Sequence, residues 1–484
     1  MSFAFSKAVN PSKVFLTRKA EMTGRWDPAY FRPELVALEE RVRKATPHRL
    51  RDFVQRMAGG ATPSTKEAET HYTESADGVP FIRVQNLSTT GRLNLEDCKR
   101  ITRSTHEGLL ARSKLSGGEL LVKITGVGRM AVASVVPDGF EANINQHIAA
   151  IRTKDKKTSE TLAAWLNLDT AERLASRRST GGTRPALDYP ALLSMPIVFD
   201  ERIPKLIGDA IVKHQTRLEK AQSLLSTIDN VLLGELSVIP KPNLPNIIEN
   251  RIFRAMFHKL TGQRFDPLFH QGDIFHFIRE TNCDLAKLGN LVSYFLTGFA
   301  AGRSDQSDEE GAIIQIRPTN LSNDRELIFT RNVTIAAAEL ATRKPDILKR
   351  GEVLFNNTNS QEQVGKTVYF DLNSNYFCSN HITRIASKSD QLNPQYLSHI
   401  LNLYQRQKVF FKLCTNWNNQ SGVGVDVLEK IPIPLPKLER QALIVEKLEK
   451  ICGEARKLRL QAAEELQQAK TEIEALILGK EAST

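Results

Sequence analysis

The sequence predicts an α+β protein: two similar mixed α/β domains, separated and followed by long helices that form an antiparallel coiled coil. Three observations predict it. One pattern occurs twice, as RWDPAYFRPEL at residues 25–35 and as RFDPLFHQGDI at residues 264–274. Short runs of Val, Ile and Phe bounded by Gly, Asn and Asp give the strand signal in both halves. Two apolar seams, stepping by threes and fours, follow the two halves.

The duplication continues in order along the chain. GGATPS (59–64) matches GFAAGRS (298–304), and VPFIRVQNLS (79–88) matches AIIQIRPTNLS (312–322). GGELLVKITG (117–126) matches RGEVLFNNTN (350–359), NQHIAAIR (145–152) matches SNHITRIA (379–386), and MPI (195–197) matches IPI (431–433). A period of about 235 residues is too long for a solenoid, whose units run to about 50 residues. It describes a duplicated domain, able to present two similar surfaces.

Residues 1–24 read as an N-terminal arm and 25–199 as the first domain. Strands are expected at Phe81–Val84, Leu120–Ile124 and Ala131–Val136, with a helical stretch over Ser159–Arg178. A spacer helix follows over 200–237, its seam formed by Ile207, Ile211, His214, Leu218, Ala221, Leu225, Ile228 and Leu232. Residues 238–263 are a linker stiffened by IPKPNLP. The second domain covers 264–436, with strands at Ile313–Ile316, Val353–Phe355 and Thr367–Phe370 and a helical stretch over Pro394–Leu413. IPIPLP stops it before a second helix over 437–480. That seam runs through Ile444, Leu448, Ile451, Ala455, Leu458 and Ala462, then resumes after a stutter at Leu466, Ala469, Ile473 and Leu476. Each helix should span about 45–60 Å at 1.5 Å per residue. His214 on the seam reads as a tolerated polar residue of the packed interface.

Composition narrows the partners. The chain has 484 residues, 41% hydrophobic and 25% charged, which suits several domains with real cores. No apolar run approaches the roughly 18 residues of a membrane span, and the first residues lack the apolar core of a signal peptide. A cytoplasmic location is expected. The five cysteines form no CxxC pair, which points away from a disulfide framework or a zinc site. A net charge of +11 and a pI near 9.3 favour a polyanion.

Motifs for chemistry fail on inspection. SQEQVGKT (360–367) has Ser360 where a phosphate-cradling loop needs Gly, and the matching TGVGRMA (125–131) lacks the Lys-Thr pair. Pro137-Asp138 with Asp155-Lys156-Lys157 fits a loose metal-nuclease pattern, but the matching Ser387-Lys388-Ser389 has no carboxylate. His147 and His381 occupy matching places before an Ile-rich strand and read as structural histidines. The expectation is a chain that reads a polymer, with no catalytic residue, metal or cofactor of its own.

Two segments at matching places could read DNA. ASRRSTGGTRPAL (175–187) carries Arg177, Arg178 and Arg184, suited to phosphates or guanine. KLCTNWNNQSGVG (412–424) carries Lys412, Asn416, Asn418, Asn419 and Gln420, suited to phosphate and adenine edges. Lys66 and Arg303 follow the matched Gly-rich loops. Asn356, Asn357 and Asn359 end a strand in the second half, facing Lys123 and Thr125 in the first. Matched loops that differ in residue type are what two readers of different sequences need.

The order of these pieces, given twice, resembles the specificity (S, HsdS) subunit of type I restriction–modification systems. IPIPLPKLERQALIVEKLEKI (431–451), with Gln441, is its most specific piece, and the resemblance covers nearly the whole chain. It implies that 25–199 and 264–436 are target-recognition domains, each reading half of an asymmetric bipartite site about one DNA turn apart. It implies that the helices fix the gap and dock two methyltransferase (modification) subunits, joined by a restriction/translocase subunit. S-adenosylmethionine, ATP and Mg would then belong to those partners. Copy two departs at GFAAGRS and NWNNQSGVG, which limits transfer residue by residue. The alternatives are an enzyme (a stand-alone nuclease or fused methyltransferase, against which the missing cofactor motifs count), a non-catalytic protein-binding scaffold, and the specificity subunit of a related system with different cleavage.

Overall fold

The computed structural model describes residues 14–479 apart from 18, 20–21, 23, 65–66, 96–97, 183, 239–247, 255, 257–263, 271–273, 276–277, 279–280, 308, 331 and 418–419. Two compact units appear: Met1–Leu218 with Arg459–Thr484 (unit 1), and Glu219–Leu458 (unit 2). Much of the arm 1–24 and of the linker 238–263 lies outside the described residues.

Unit 1 contains β1 (Arg56–Gly59), β2 (Tyr72–Thr73), β3 (Val79–Ile82), β4 (Lys99–Ile101), β5 (Leu120–Lys123), β6 (Ala133–Val135), β7 (Asn143–Ile144) and β8 (Ile148–Arg152). Its larger sheet has the order β1-β8-β5-β6, and its smaller one β2-β4-β3-β7. Every ladder is antiparallel except β3 with β7. Leu120, Val122 and Ile151 face Leu162, Trp165 and Leu174 from the helices behind the sheet. Burying such side chains stabilises by roughly 1.5–3 kcal/mol each.

The helix expected over Ser159–Arg178 is two, Lys156–Leu166 and Asp169–Arg178. Asn167 makes the break. Its amide accepts from the Ala133 N–H at 3.1 Å and donates to the Ala133 carbonyl at 2.8 Å. The side chain thus stands in for a neighbouring strand's peptide at the β6 edge.

Unit 2 holds β9 (Asp284–Lys287), β10 (Val292–Thr297), β11 (Ile313–Ile316), β12 (Val333–Ile335), β13 (Val353–Asn356), β14 (Thr358–Asn359), β15 (Thr367–Tyr369), β16 (Phe377–Cys378), β17 (Ile382–Ser387), β18 (Thr415–Trp417), β19 (Gln420–Gly422) and β20 (Pro432–Leu435). The larger sheet, β10-β17-β13-β15, has the same antiparallel pairing as its counterpart in unit 1. The sheet β12-β11-β16 again has one parallel ladder, β11 with β16. Pro394–Arg406 and Val409–Leu413 replace the single expected helix, parted at Lys408, whose φ is 59°. Asn402 repeats the edge device, accepting from the Thr367 N–H at 3.2 Å and donating to its carbonyl at 2.6 Å.

The long helices are Ile203–Glu235 and Leu438–Leu478, and they pack side by side. In unit 1, Ile207 and Ile211 share a core with Leu466 and Ile473, and His214 Nδ1 donates to the Ala462 carbonyl at 2.9 Å. In unit 2, Leu225, Ile228 and Leu232 share a core with Ile444, Leu448 and Ala455, while Glu235 pairs with Arg440 and Lys447. Partner numbers fall as helix numbers rise, the antiparallel sense. The seam needs correction at two places, Leu218 and Leu476, which are exposed. Ile451 and Leu458 are half-buried and pack against the core. The buried stripe in unit 2 runs Gln441, Ile444, Leu448, Cys452, Ala455, four steps over 14 residues, the 3.5-residue period of a coiled-coil seam. Gln441 is fully buried, where it accepts from Asn393 N–H at 2.8 Å and donates to the Gln391 and Pro436 carbonyls.

One buried cation is poorly placed. Burial, and then the charge of Arg129, push Lys470 down from 10.5 to about 8. The unfolded chain therefore binds this proton more tightly, and stability rises as pH climbs from about 8 to 10.5. Lys470→Met should raise unfolding free energy at pH 7 by about 1–3 kcal/mol, with the gain shrinking by pH 10. Urea unfolding of both proteins across that window checks it, and an equal or lower stability of the variant at pH 7 would refute it.

Candidate nucleic-acid interface

The repeated Arg-aromatic-Asp-Pro motif builds the base of each candidate reading segment. The first helix partner, Asp169–Arg178, ends with carbonyls that have no intrahelical donor. Arg25 supplies it: Nη1 donates to the Arg178 carbonyl at 2.8 Å and Nη2 to that of Ser179 at 3.2 Å. Asp27 takes the guanidinium with two bonds of 2.8 Å, and Tyr30 lies beneath it, 4.5 Å from ring centre to Cζ. In unit 2, Arg264 donates to the Leu413 and Cys414 carbonyls, is forked onto Asp266, and lies over Phe269. A cation at the negative end of a helix is favourable, and the bidentate aspartate fixes its aim. The hydrogen bond from Arg25 holds the Asp27 carboxyl below the usual range.

Other repeated residues serve the same frame. A Cβ on Gly60 would lie 2.0 Å from the Ile144 carbonyl oxygen, and one on Gly298 would lie 2.1 Å from that of Cys378. Only glycine allows that approach. Asn86 accepts from the Arg83 N–H and donates to the Asn94 carbonyl, as Asn320 does with Arg317 and Ile328, all at 2.9 Å. Glu119 and Glu352 each accept from the N–H three residues earlier.

On this frame the late segments cross the end of the larger sheet. In unit 2 they form the sheet β14-β19-β18, pairing Thr358 with Gly422, Asn359 with Ser421 and Asn416 with Ser421. Gly422 leaves room for the Trp417 ring, which a Cβ would meet at 2.4 Å. Unit 1 has the same crossing reduced to bridges of Thr125 and Thr180 with Ala186. In unit 2 the crossing walls a groove of about 780 Å³, lined by Arg317, Asn332, Asn359, Asn380, His381 and Gln420 among others. The groove presents amide, guanidinium, imidazole and hydroxyl groups, all of them hydrogen-bond donors or acceptors.

The expected contacts divide sharply. Asn359 and Gln420 line the groove; Arg184, Arg303 and Asn416 are exposed. Lys412 is half-buried, and burial, then Lys408, lower its pKa. Lys66, Asn418 and Asn419 lie outside the described residues. Five expected residues need correction. Arg177 and Arg178 are buried and both bind Glu39, so they close the core and do not reach a phosphate. Burial opposes the Glu39 charge, yet Arg178 and Arg177 together keep its carboxyl below the usual range. Lys123 is buried, and its ammonium donates to the Val127 and Arg129 carbonyls at 2.8 and 2.9 Å. Asn356 is fully buried and donates to the Gln363 carbonyl at 2.8 Å. Asn357 is also buried, donating to Thr383 Oγ1 at 2.9 Å.

The rejected motifs have structural uses. Asp155 caps the helix Lys156–Leu166, accepting from the Thr158 N–H at 2.8 Å, and Asp138 pairs with Lys156. In SQEQVGKT the N–H groups of Gln363, Val364 and Gly365 donate to the Ser360 and Asn356 carbonyls, so these three are taken up by the turn itself. Burial, then the Arg184 charge, lower the pKa of His147, and its carbonyl accepts from Ile124 as that of His381 does from Asn357. Arg317, Asn380 and His381 were missed as groove residues. Their signal was their place inside repeated motifs, which sequence reasoning assigned wholly to the frame.

Comparison with known proteins bears on this geometry. Residues 287–467 match the sequence model of the type I restriction modification DNA specificity domain. A stretch of 95 residues is 26% identical to a protein of Methanocaldococcus jannaschii described as a type I restriction enzyme MjaX specificity subunit, covering 19% of this chain and 22% of that protein. The chain thus spans about a fifth of that relative's length. Among solved structures, a chain from a study of assembly and conformational transition of the type I R-M system has a TM-score of 0.37 at 15% identity, covering 89% of this chain and 95% of that one. The HsdS subunit of Thermoanaerobacter tengcongensis gives 0.31 at 15% identity, covering 89% and 94%. The type I S subunit of M. genitalium gives 0.35 at 11%, covering 87% and 95%. The resemblance read from the sequence is therefore to the family that these comparisons find.

The clamp makes a local prediction. Arg264→Ala should cost about 2 kcal/mol, the scale of hydrogen bonds to a charged group, and should speed amide exchange through 415–422. Exchange through 180–187 should stay as it was. Hydrogen exchange read by mass spectrometry separates the two segments, and uniform loosening of both would contradict the assignment.

Proposed function

We propose that this chain, which carries a type I restriction modification DNA specificity domain over residues 287–467, is the DNA-reading subunit of a type I restriction–modification complex. Units 1 and 2 are duplicates of one target-recognition domain, and each reads half of an asymmetric bipartite site. The observation that carries this is a shared frame with unshared contents. The same clamp, glycine approach and late crossing occur in both units, yet the crossing offers Arg184 in one and Asn416 and Gln420 in the other. Amides suit adenine and guanidinium suits guanine, so two such surfaces read different bases. Exposed Lys and Arg meet phosphates, and affinity falls steeply with salt.

In this proposal the long helices set the gap between half-sites and dock two modification subunits, with a restriction/translocase subunit joining them. Apolar side chains left exposed along them, Leu206, Val212, Leu443 and Leu460, support a docking role. S-adenosylmethionine, ATP and Mg act in the partners, and this chain contributes recognition without catalysis. No described helix is long and apolar enough to cross a membrane.

Sequencing genomic DNA for N6-methyladenine with and without this gene tests the reading. Loss of methylation at one bipartite asymmetric motif is expected on deletion, and an unchanged methylome in a strain with active partner genes would overturn it. Asn359→Ala with Gln420→Ala should relax one half-site, costing about 1–3 kcal/mol per lost contact, and leave the other as it was. Four residues added to each long helix lengthen it by about 6 Å, so the required gap should grow by roughly two base pairs. Continued methylation at the old gap would count against the ruler.

A further inference from the structure

The helix Arg103–Glu107 of unit 1 carries a buried histidine with one nitrogen unused. His106 is 1% exposed, and its Nδ1 faces Asn143 Oδ1. The Asn143 amide is oriented from its other end, where Nδ2 donates to the Leu110 carbonyl at 2.8 Å and to Ser113 Oγ at 3.3 Å. Its oxygen therefore accepts, and His106 Nδ1 carries the proton. Nε2 is buried and makes no hydrogen bond, although Glu141 Oε1 stands 2.9 Å away and Glu107 Oε1 3.7 Å away. A nitrogen lone pair set against two carboxylates is unfavourable unless positive charge lies between them. The fold itself does not require this arrangement. In unit 2 the parallel ladder pairs Gln315 with Phe377 where unit 1 pairs Phe81 with Asn143. Phe377 there packs edge-on against Phe299 at 5.4 Å.

We propose that His106, Glu107 and Glu141 bind one zinc ion. One imidazole and two carboxylates form a zinc donor set that leaves a fourth position for water. Bonds of 2.0–2.2 Å in a tetrahedron place ligand atoms about 3.3 Å apart. Here the three donor atoms lie within 4.8 Å of one another, and the two separations from Nε2 bracket that value. Glu141 sits close to Nε2 without hydrogen bonding to it, which is where a fellow ligand stands. The bond from Nδ1 to Asn143 fixes the ring and its tautomer, the usual support of a metal-bound histidine. Lys114 and Arg103 now pair with Glu107 and Glu141. Both pairs are at the surface, hold weakly, and open to solvent when zinc replaces them. The ion ties the helix to the segment that leads into β7, fastening the smaller sheet of unit 1.

Calorimetric titration of Zn²⁺ into the full chelator-stripped chain tests this, with X-ray absorption to identify the ligands. One zinc per chain on nitrogen and oxygen ligands is expected, with Mg²⁺ much weaker. Glu141→Gln, at the surface and safe for folding, should weaken the site at least tenfold, and His106→Gln should abolish it. Zinc binding raises the melting temperature of the parent chain, and Glu141→Gln should lose that rise. No zinc uptake, sulfur ligands, or equal affinity in Glu141→Gln would each overturn the site.

Discussion

Each unit depends on an arginine that an aspartate aims at the end of a distant helix. Arg25 closes on carbonyls 153 and 154 residues later, and Arg264 on carbonyls 149 and 150 residues later. The bond joins the beginning of the unit to the point where the late segment leaves its helix. In unit 1 the described part of that segment pairs through isolated bridges, and in unit 2 it forms the β18–β19 pair. The clamp fixes where both begin. A guanidinium on a helix terminus is worth more than an ordinary surface pair because the carbonyls have no other donor. The ring beneath each guanidinium shields it from water.

The two units use one frame with different burial of charge. After Asn86 and Asn320 the chain turns through a residue of positive φ, Gly91 at 81° in unit 1 and Arg325 at 67° in unit 2. A non-glycine residue there costs roughly 1 kcal/mol or more. Arg325 gains partners in return: its guanidinium binds Asp229 and His399, and His399 faces Glu449. Burial, which outweighs the help of Glu449, lowers the pKa of His399. Unit 1 has Gly91 at this position and Ala163 and Ala164 on the facing helix, and a groove of about 530 Å³ remains beside Ile207 and Ile211. A buried ion network adds little net stability over apolar packing, but it is costly to break. Unit 2 is thus joined to its portion of the long helices by a buried ion network, and unit 1 by apolar contact with hydrogen bonds beside it, from Gln467 to Asp169 and from the Thr170 N–H to Glu474.

Strand positions were legible because β-rich runs such as Ile313–Ile316 are bounded by turn residues. The long helices were legible because their apolar stripe is regular. Helix breaks were not, because Asn167 acts through a tertiary contact with Ala133 that no local pattern records and Lys408 takes a left-handed φ that a lysine does not announce. The late segments were legible as segments: their offset from a repeated motif marked them, and their differing residues marked them as readers. Single residues within them were not. Arg177 and Arg178 look like phosphate ligands in a basic run, and only the fold brings Glu39, well over a hundred residues earlier, between them. Asn356 and Asn357 looked like base readers for the same reason; strand pairing buries both.

Those burials sharpen what repetition means in this chain. A residue kept in both copies, such as Arg25 with Arg264, Gly60 with Gly298 or Asn86 with Asn320, makes the same frame contact twice. A residue that differs between copies is either a repacked core, as with Asn143 and Phe377, or a group presented at the groove, as with Arg184 and Gln420. Burial separates the two cases, and charge alone does not. The net charge of +11 therefore overstates what Arg177, Arg178 and Lys123 can offer to a polyanion, since their charge is spent on Glu39 and on backbone carbonyls. What remains for recognition is carried by side chains held at the surface of the crossing. Their geometry is set by the arginine clamp, so their identity can change without loss of the fold.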